Sequence, residues 1–318
     1  MIQDGEDGED DMNSKNLALL ATMASISAIF DLFPESQAGN LFFKQAVAPP
    51  SGAVASGEQI LLNGKKLREQ GAYAQAVQAF EQVVKERPKS YEAHLELSKT
   101  LALCGQDDRA MVEAFESLKL ELKNPQARNL LGELFLKKQS WNEAAGQFKQ
   151  VLEIEPRNIS ARGNLAICLQ QLGYTEYAIQ QLKAVLKLSP ENQKALYDLA
   201  VAQQMSERTE PAIGTYLELI KINPKNSLAY AGLGKCYVQK KDFKTAIAAE
   251  KEAIKLDSNN QFAFLVLGEA YDGSGSKADS IDAYRKGIAL NPKDAAAKEA
   301  LSNLLHQKVA VNPGSLTR

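Results

Sequence analysis

Few side chains in this chain are of the types that carry out covalent or metal chemistry. Its only histidines, His94 and His306, stand far apart, and its three cysteines, Cys104, Cys168 and Cys236, are an odd number with no CxxC pair. That spacing indicates neither a disulfide framework nor a thiolate zinc site. His94 and Cys104 are ten residues apart in one expected helix, which separates them by roughly 15 Å, too far to share a metal. The stretch Asp272 to Ser280, DGSGSKADS, has the small residues of a phosphate or calcium loop. It lacks the Gly-Lys-Ser/Thr of a P-loop and the closing Glu of an EF-hand, so it reads as a turn. The acid pairs Glu116 with Glu121 and Glu250 with Glu252 read as solvent-facing helix charges. The expectation is a chain with no catalytic residue, no cofactor and no metal.

Composition narrows the class. At 318 residues, 45% hydrophobic and 24% charged, the chain is long and apolar enough for a substantial core. The net charge of -2 excludes a generally basic nucleic-acid binder. The charge is uneven: residues 1–56 hold eight acids and two bases, net -6, and the other 262 residues, with 35 bases and 31 acids, carry +4.

The elements that position the side chains follow from self-similarity at one period. Written in rows of 34 from Gly57, the chain shows Ala93, Ala127, Ala161, Ala195, Ala229, Ala263 and Ala297 in the third column. Leu97, Leu131, Leu165, Leu199, Leu233 and Leu267 fill the seventh. The eighth is small (Gly64, Ser98, Gly132, Ala166, Ala200, Gly234, Gly268), and so is the twentieth, from Ala76 to Ser280. The twenty-fourth is mostly large and apolar, with Phe80, Phe148, Leu182, Tyr216 and Tyr284. Pro88, Pro156, Pro190, Pro224 and Pro292 share a column near the row end. Each row reads as two amphipathic helices, broken at Gly71, Gly105, Gln139–Ser140, Gly173 and Gly275. The small columns predict close helix packing, with large residues of adjoining rows filling the remaining space.

Small residues in the eighth and twentieth columns, Tyr73, Trp141 and Phe243 in the seventeenth, and the NPK and EPR row ends resemble the tetratricopeptide repeat. The resemblance covers seven units: 57–90, 91–124, 125–158, 159–192, 193–226, 227–260 and 261–294. It implies an all-α fold, a right-handed superhelical solenoid of antiparallel helix pairs. Residues 295–308, with Ala297, Ala300, Leu301, Leu304 and Leu305 on one face, read as a C-terminal capping helix, and 309–318 as a flexible tail. Gln59 in the alanine column, Asn63 in the leucine column and Glu250 in the large apolar column depart from the pattern and leave the packing of the first and sixth units open.

The resemblance places the first helix of each unit on a concave inner wall. Its second, fifth, ninth, twelfth and thirteenth columns then form a candidate groove: Lys65, Lys99, Asn129, Gln171, Tyr197, Gln204, Leu228, Val238, Phe262 and Leu265, with Asn164 at the edge. Charged residues give way to amides and then to an apolar patch, which suits an extended peptide or a helix of a protein partner. Some members of the family hold chaperone C-terminal carboxylates with Lys, Asn and Arg. Here Asn164 and Lys194 match that set, but Asn129, Glu133 and Asp198 replace required residues, and two acids would repel such a ligand. The expected function is a non-catalytic scaffold for a multiprotein complex. The alternative is a helical-repeat RNA-binding protein, weakened by the 34-residue period and the small positive charge of the repeats, so no nucleic acid is expected.

Residues 1–56 form an acidic and apolar extension. Leu17 to Phe30 is uncharged, within the length of a signal-peptide core and short of a membrane span. Translation from Met12 would give a basic flank, MNSK, and a small-residue site, SQA, before Gly39, and hence export. Otherwise the protein is cytoplasmic, and the segment is either a plain extension or a docking helix. As a docking helix it would self-associate with a groove or contact a membrane through residues 17–33.

Overall fold

The computed structural model describes residues 56–310 of the chain, with side chains as far as 306. The extension, with its leader and docking readings, and the final eight residues lie outside the described residues. Every regular element described is a helix. Seven pairs run in order: α1 (Gly57–Glu69) and α2 (Tyr73–Glu86), α3 (Tyr91–Leu103) and α4 (Asp107–Leu120), α5 (Pro125–Lys137) and α6 (Trp141–Ile154), α7 (Ile159–Gln171) and α8 (Thr175–Leu188). There follow α9 (Gln193–Met205) and α10 (Thr209–Ile222), α11 (Ser227–Gln239) and α12 (Phe243–Leu256), α13 (Gln261–Gly273) and α14 (Lys277–Leu290), and the closing helix α15 (Ala295–Ala310). The closing helix extends two residues beyond its expected end.

The helix boundaries have local chemical causes. The last position of each row is Ser56, Ser90, Asn124, Asn158, Asn192, Asn226 or Asn260, and each side chain accepts a hydrogen bond from the third backbone amide of the helix it starts. Asp294 does the same for Ala297 at the start of α15. Such caps satisfy amides that the first turn leaves open, at typically ~1 kcal/mol each. The amide they meet belongs to the alanine column, so cap and column form one device. First helices end in a left-handed residue: Gly71, Gly105, Gly173 and Gly275, and also Gln139, Glu207 and Lys241 with φ near 60°. Second helices end alike with or without the proline. Leu120 and Leu256 close α4 and α12 where Leu122 and Ser258 replace it, because an i to i+3 backbone bond makes the turn in every row, as from Asn124 N–H to Glu121 O.

Each second helix packs between its own first helix and that of the next unit. The eighth column lets this happen. A Cβ at Gly64 would lie 2.7 Å from the Phe80 ring, one at Gly132 2.6 Å from Phe148, and one at Gly268 2.9 Å from Tyr284. Where polar residues take small positions they are bonded: Ser98 Oγ donates to Ala110 O, and Ser280 Oγ to Gly268 O. Cys168 and Cys236 are wholly buried, and burial pushes their thiols up to about 11 and about 12, so they act as small packing residues. The departures in the first unit have a common cause. Columns three, seven and ten are buried in every later row, but in α1 they are Gln59, Asn63 and Lys66, all exposed on its outer side. At the other end Leu304 is buried beside Ile281 and Tyr284, whereas Leu305, expected on the same apolar face, is 38% exposed.

Glu250 corrects the reading of a solvent-facing acid. It occupies the twenty-fourth column in α12, is fully buried, and neither carboxyl oxygen has a hydrogen-bond partner. Its Oε1 fills the space that a Cβ of Gly234 would take. Burial, reinforced by Glu269 and opposed by Lys235, pushes the carboxyl up to about 10, so it is a neutral acid at pH 7.

Two predictions arise from this packing. Gly132→Ala should destabilise the protein, because its methyl meets a ring, whereas Gly214→Ala, in a helix with nothing within 4 Å, should stabilise it by up to ~1 kcal/mol. Urea midpoints moving in the same direction for both would refute the assignment. The carboxyl of Glu250 titrates higher in the folded than in the unfolded chain, where its ordinary value is 4.5. Its contribution to stability is therefore greatest below pH 4.5 and falls as pH rises toward about 10. Relative to Glu250→Gln, the natural protein should lose ~1.4 kcal/mol per pH unit across that window, measured as the difference between two urea titrations at pH 5.5 and 7.5.

Candidate functional site

First helices of neighbouring units touch along the whole array, while second helices of neighbouring units make no comparable contact. The first helices therefore form the inner wall, and their exposed columns line the groove. Among the described residues no helix is long and apolar enough to cross a membrane, and no group of three or more potential ligands could hold a metal.

In the first two units the groove charges are committed to one another. Lys65 Nζ donates to Glu92 at 2.7 Å, and that bond raises the lysine pKa against the opposing effect of burial. Arg68 bonds Glu96 at 2.5 Å, and Lys99 bonds both Glu96 at 3.0 Å and Gln126 at 2.9 Å. Burial alone would raise the Glu96 carboxyl, but Lys99 and Arg68 outweigh it and hold the carboxyl below its ordinary value. Lys65 and Lys99 thus tie each row to the next and are not idle charges awaiting a ligand. Two cavities open over this stretch. One of 530 Å³ is bordered by Lys65, Tyr91, Glu92 and Gln126, and one of 360 Å³ by Lys99, Asn129, Glu133 and Ser160.

The middle of the groove is built from amides and an aromatic step. Asn129 Nδ2 donates to Glu133 at 2.7 Å while its buried Oδ1 has no partner. Asn164 is half-buried and Gln171 exposed. Beside it, Gln170 donates to the sulfur of Met205, which is 63% exposed. Tyr197, a candidate groove residue, packs against the core: its ring meets that of Tyr216 edge to face at 6.3 Å. Burial raises its phenol, and Asp198 adds to that shift. Gln204 Oε1 accepts a hydrogen bond from the Tyr216 hydroxyl at 3.4 Å, so the twenty-fourth column reaches through the wall to the groove.

At the C-terminal end Leu228 and Phe262, both in the second column, are 50% and 46% exposed, and Val238 is half-buried. Leu265, on its expected column, is partly buried and packs against Ile281, Tyr284 and Leu304 beneath the closing helix. Lys235 and Glu269 form an ion pair from α11 to α13.

Glu96 and Gln126, the groups that hold Lys99, were not among the expected groove residues. The signal was present, since each base meets its partner 27 or 28 residues later. A second row-joining device also went unread. In the fourth column His94, Arg128 and Arg162 bond the turn carbonyls of Pro88, Leu122 and Pro156 six residues back. This places His94 in a structural contact, with its other nitrogen 2.7 Å from Glu113.

Comparison with known proteins agrees with this architecture. One family model described as tetratricopeptide repeat matches residues 67–134 and 175–236, and a second with the same description matches 228–260 and 263–294, together more than half of the chain. No curated protein matches. Among solved structures, a tetratricopeptide repeat protein from Parabacteroides merdae is 15% identical with a TM-score of 0.63, over 79% of this chain and 99% of that one. Cut9–Hcn1, an APC/C hetero-tetramer, is 17% identical with a TM-score of 0.60, over 78% of this chain and 49% of that one. YrrB, described as having an unusual peptide-binding site, is 18% identical with a TM-score of 0.53, over 59% of this chain and 96% of that one. At these identities the likeness shows the fold alone. Seven capped helix pairs at a 34-residue spacing, matched by these models over most of their length, place the chain in the tetratricopeptide repeat family.

Proposed function

We propose that this chain is a non-catalytic scaffold that takes a peptide or helix of a protein partner in its concave groove and supports assembly of a multiprotein complex. The observation that carries this reading is the exposure of Leu228 and Phe262 on the inner wall, where about half of each residue stands open. Elsewhere on the first helices the exposed Met205 and half-buried Val238 add apolar surface, and Gln171 and Asn164 add hydrogen-bonding groups. An apolar stretch bordered by amides suits an amphipathic segment, whose apolar side chains gain contact while its polar groups stay bonded. The peptide-binding site in the description of YrrB, and the APC/C assembly containing Cut9, are consistent with such a role.

The test uses residues whose removal leaves the fold intact. Leu228→Ala with Phe262→Ala should leave helix content and urea midpoint nearly unchanged, since both side chains are half exposed. Partner capture from native extract should fall, with a loss of ~2 kcal/mol or more if either residue is an anchor. Undiminished capture by the folded double variant would move the binding surface to the outer helices or the ends. Tyr197→Ala is a poor substitute, because its ring supports Tyr216.

A further inference from the structure

The sixth unit differs from the others where α11, α12 and α13 meet. Helix α12 buries Ala246, Ala249, Glu250 and Ala253 and no large apolar side chain. Glu250 stands where other rows carry Phe80, Phe148, Tyr216 or Tyr284, enclosed and with both oxygens unpartnered. At the same column of the fifth row the Tyr216 hydroxyl reaches Gln204 on the first helix α9. Gly234 has no Cβ, and the carboxyl fills the notch this leaves in a groove-lining helix. The charged groups facing it are Lys235 from α11 and Glu269 from α13, which are paired with each other. On its own helix Lys251 lies over the Tyr271 ring and Glu252 pairs with Lys255. One resident cation therefore serves two acids, and only one of them is satisfied. Leu228 and Phe262 stand half exposed near the starts of α11 and α13, the same two helices.

We propose that the inner wall at Lys235 and Glu269, in front of Glu250, is a cation-accepting site, which takes a lysine or arginine side chain of the bound partner segment between Glu269 and Glu250. The inference rests on the groove reading above and adds a chemical requirement to it: a basic residue flanked by apolar ones. An incoming guanidinium pairs with Glu269, displaces Lys235 and stabilises the ionised form of Glu250. An apolar neighbour on the segment covers Leu228 or Phe262. The unpartnered carboxyl is thus the vacant half of a salt bridge whose other half arrives with the partner.

The titration of Glu250 in the full-length protein tests this, followed by carboxyl-carbon NMR with the Glu250→Gln variant identifying the signal. The probe is N-acetyl-arginine amide, compared with N-acetyl-citrulline amide, which has the same shape without the charge. The arginine probe should lower the Glu250 midpoint by at least one pH unit, a tenfold or greater preference for the ionised form. The citrulline probe should leave it unmoved. Glu269→Gln should weaken arginine binding several-fold, and Lys235→Gln should tighten it, because the competing cation is gone. A merely structural bridge would give weakening in both variants, and that result would overturn the proposal. So would a midpoint that ignores the arginine probe, or that moves equally with citrulline or sodium chloride. If the arginine probe fails while the Leu228 and Phe262 variant still loses its partner, the groove reading stands and the cation site falls. If the probe succeeds while that variant keeps its partner, the groove reading is the one that fails.

Discussion

The distance between a glycine on one helix and an aromatic ring on the next governs this molecule. In three rows a single added carbon at the eighth column would lie under 3 Å from the ring at the twenty-fourth, closer than interiors tolerate without displacing backbone. The ring in turn fills the space between two successive first helices. Repeating one such contact at a fixed interval sets both the pairing within a unit and the stacking between units, so each row needs only its neighbours. The caps serve the same spacing. Ser90 or Asn124 ends one row and starts the next helix within a single residue, leaving no slack in the turn through which the register could drift.

The inner wall divides by how its side chains are occupied. Over the first units Lys65, Arg68 and Lys99 are held by Glu92, Glu96 and Gln126. These bonds span neighbouring rows and brace the groove, and a ligand engaging any of those groups would first have to break one. Toward the other end the braces thin out and apolar side chains stand open. Binding strength is therefore expected to concentrate in the fifth to seventh units, while the first two provide a stiff platform. In the core the departure is confined to one row: Phe80, Phe148, Tyr216 and Tyr284 anchor theirs, whereas α12 contributes alanines and one unbonded carboxyl.

Repetition made much of this legible in the sequence. Seven copies of a column average out single departures, so the helix pairs, most of their breaks and the small–large packing could be read directly. The breaks after Met205 and Gln239 were harder, because Glu207 and Lys241 adopt left-handed backbone without the glycine that announces it. The groove was read by column, which gives the direction of a side chain but not its occupancy. Tyr197 and Leu265 lie on the expected columns and spend much of their surface on Tyr216 and on the closing helix. The lysines lie there too, already bonded. Glu250 was misread for a related reason: charge argued for solvent and column argued for the core, and in a tightly stacked array the column prevails, with the proton retained as the consequence.

The polar face of the first helix has a bearing beyond the single molecule. Stacked repeats are a head-to-tail geometry, and a solenoid with two apolar end faces would be a template for open-ended fibres. Here Gln59, Asn63 and Lys66 replace the alanine, leucine and small buried residues that would receive a preceding row, and α15 roofs the opposite end. A second array approaching this face would have to strip water from an amide pair and an ammonium, with Leu62 the one large apolar side chain standing exposed on α1. Stacking a further row on α1 is thus opposed at the position where the repeat itself would otherwise invite it.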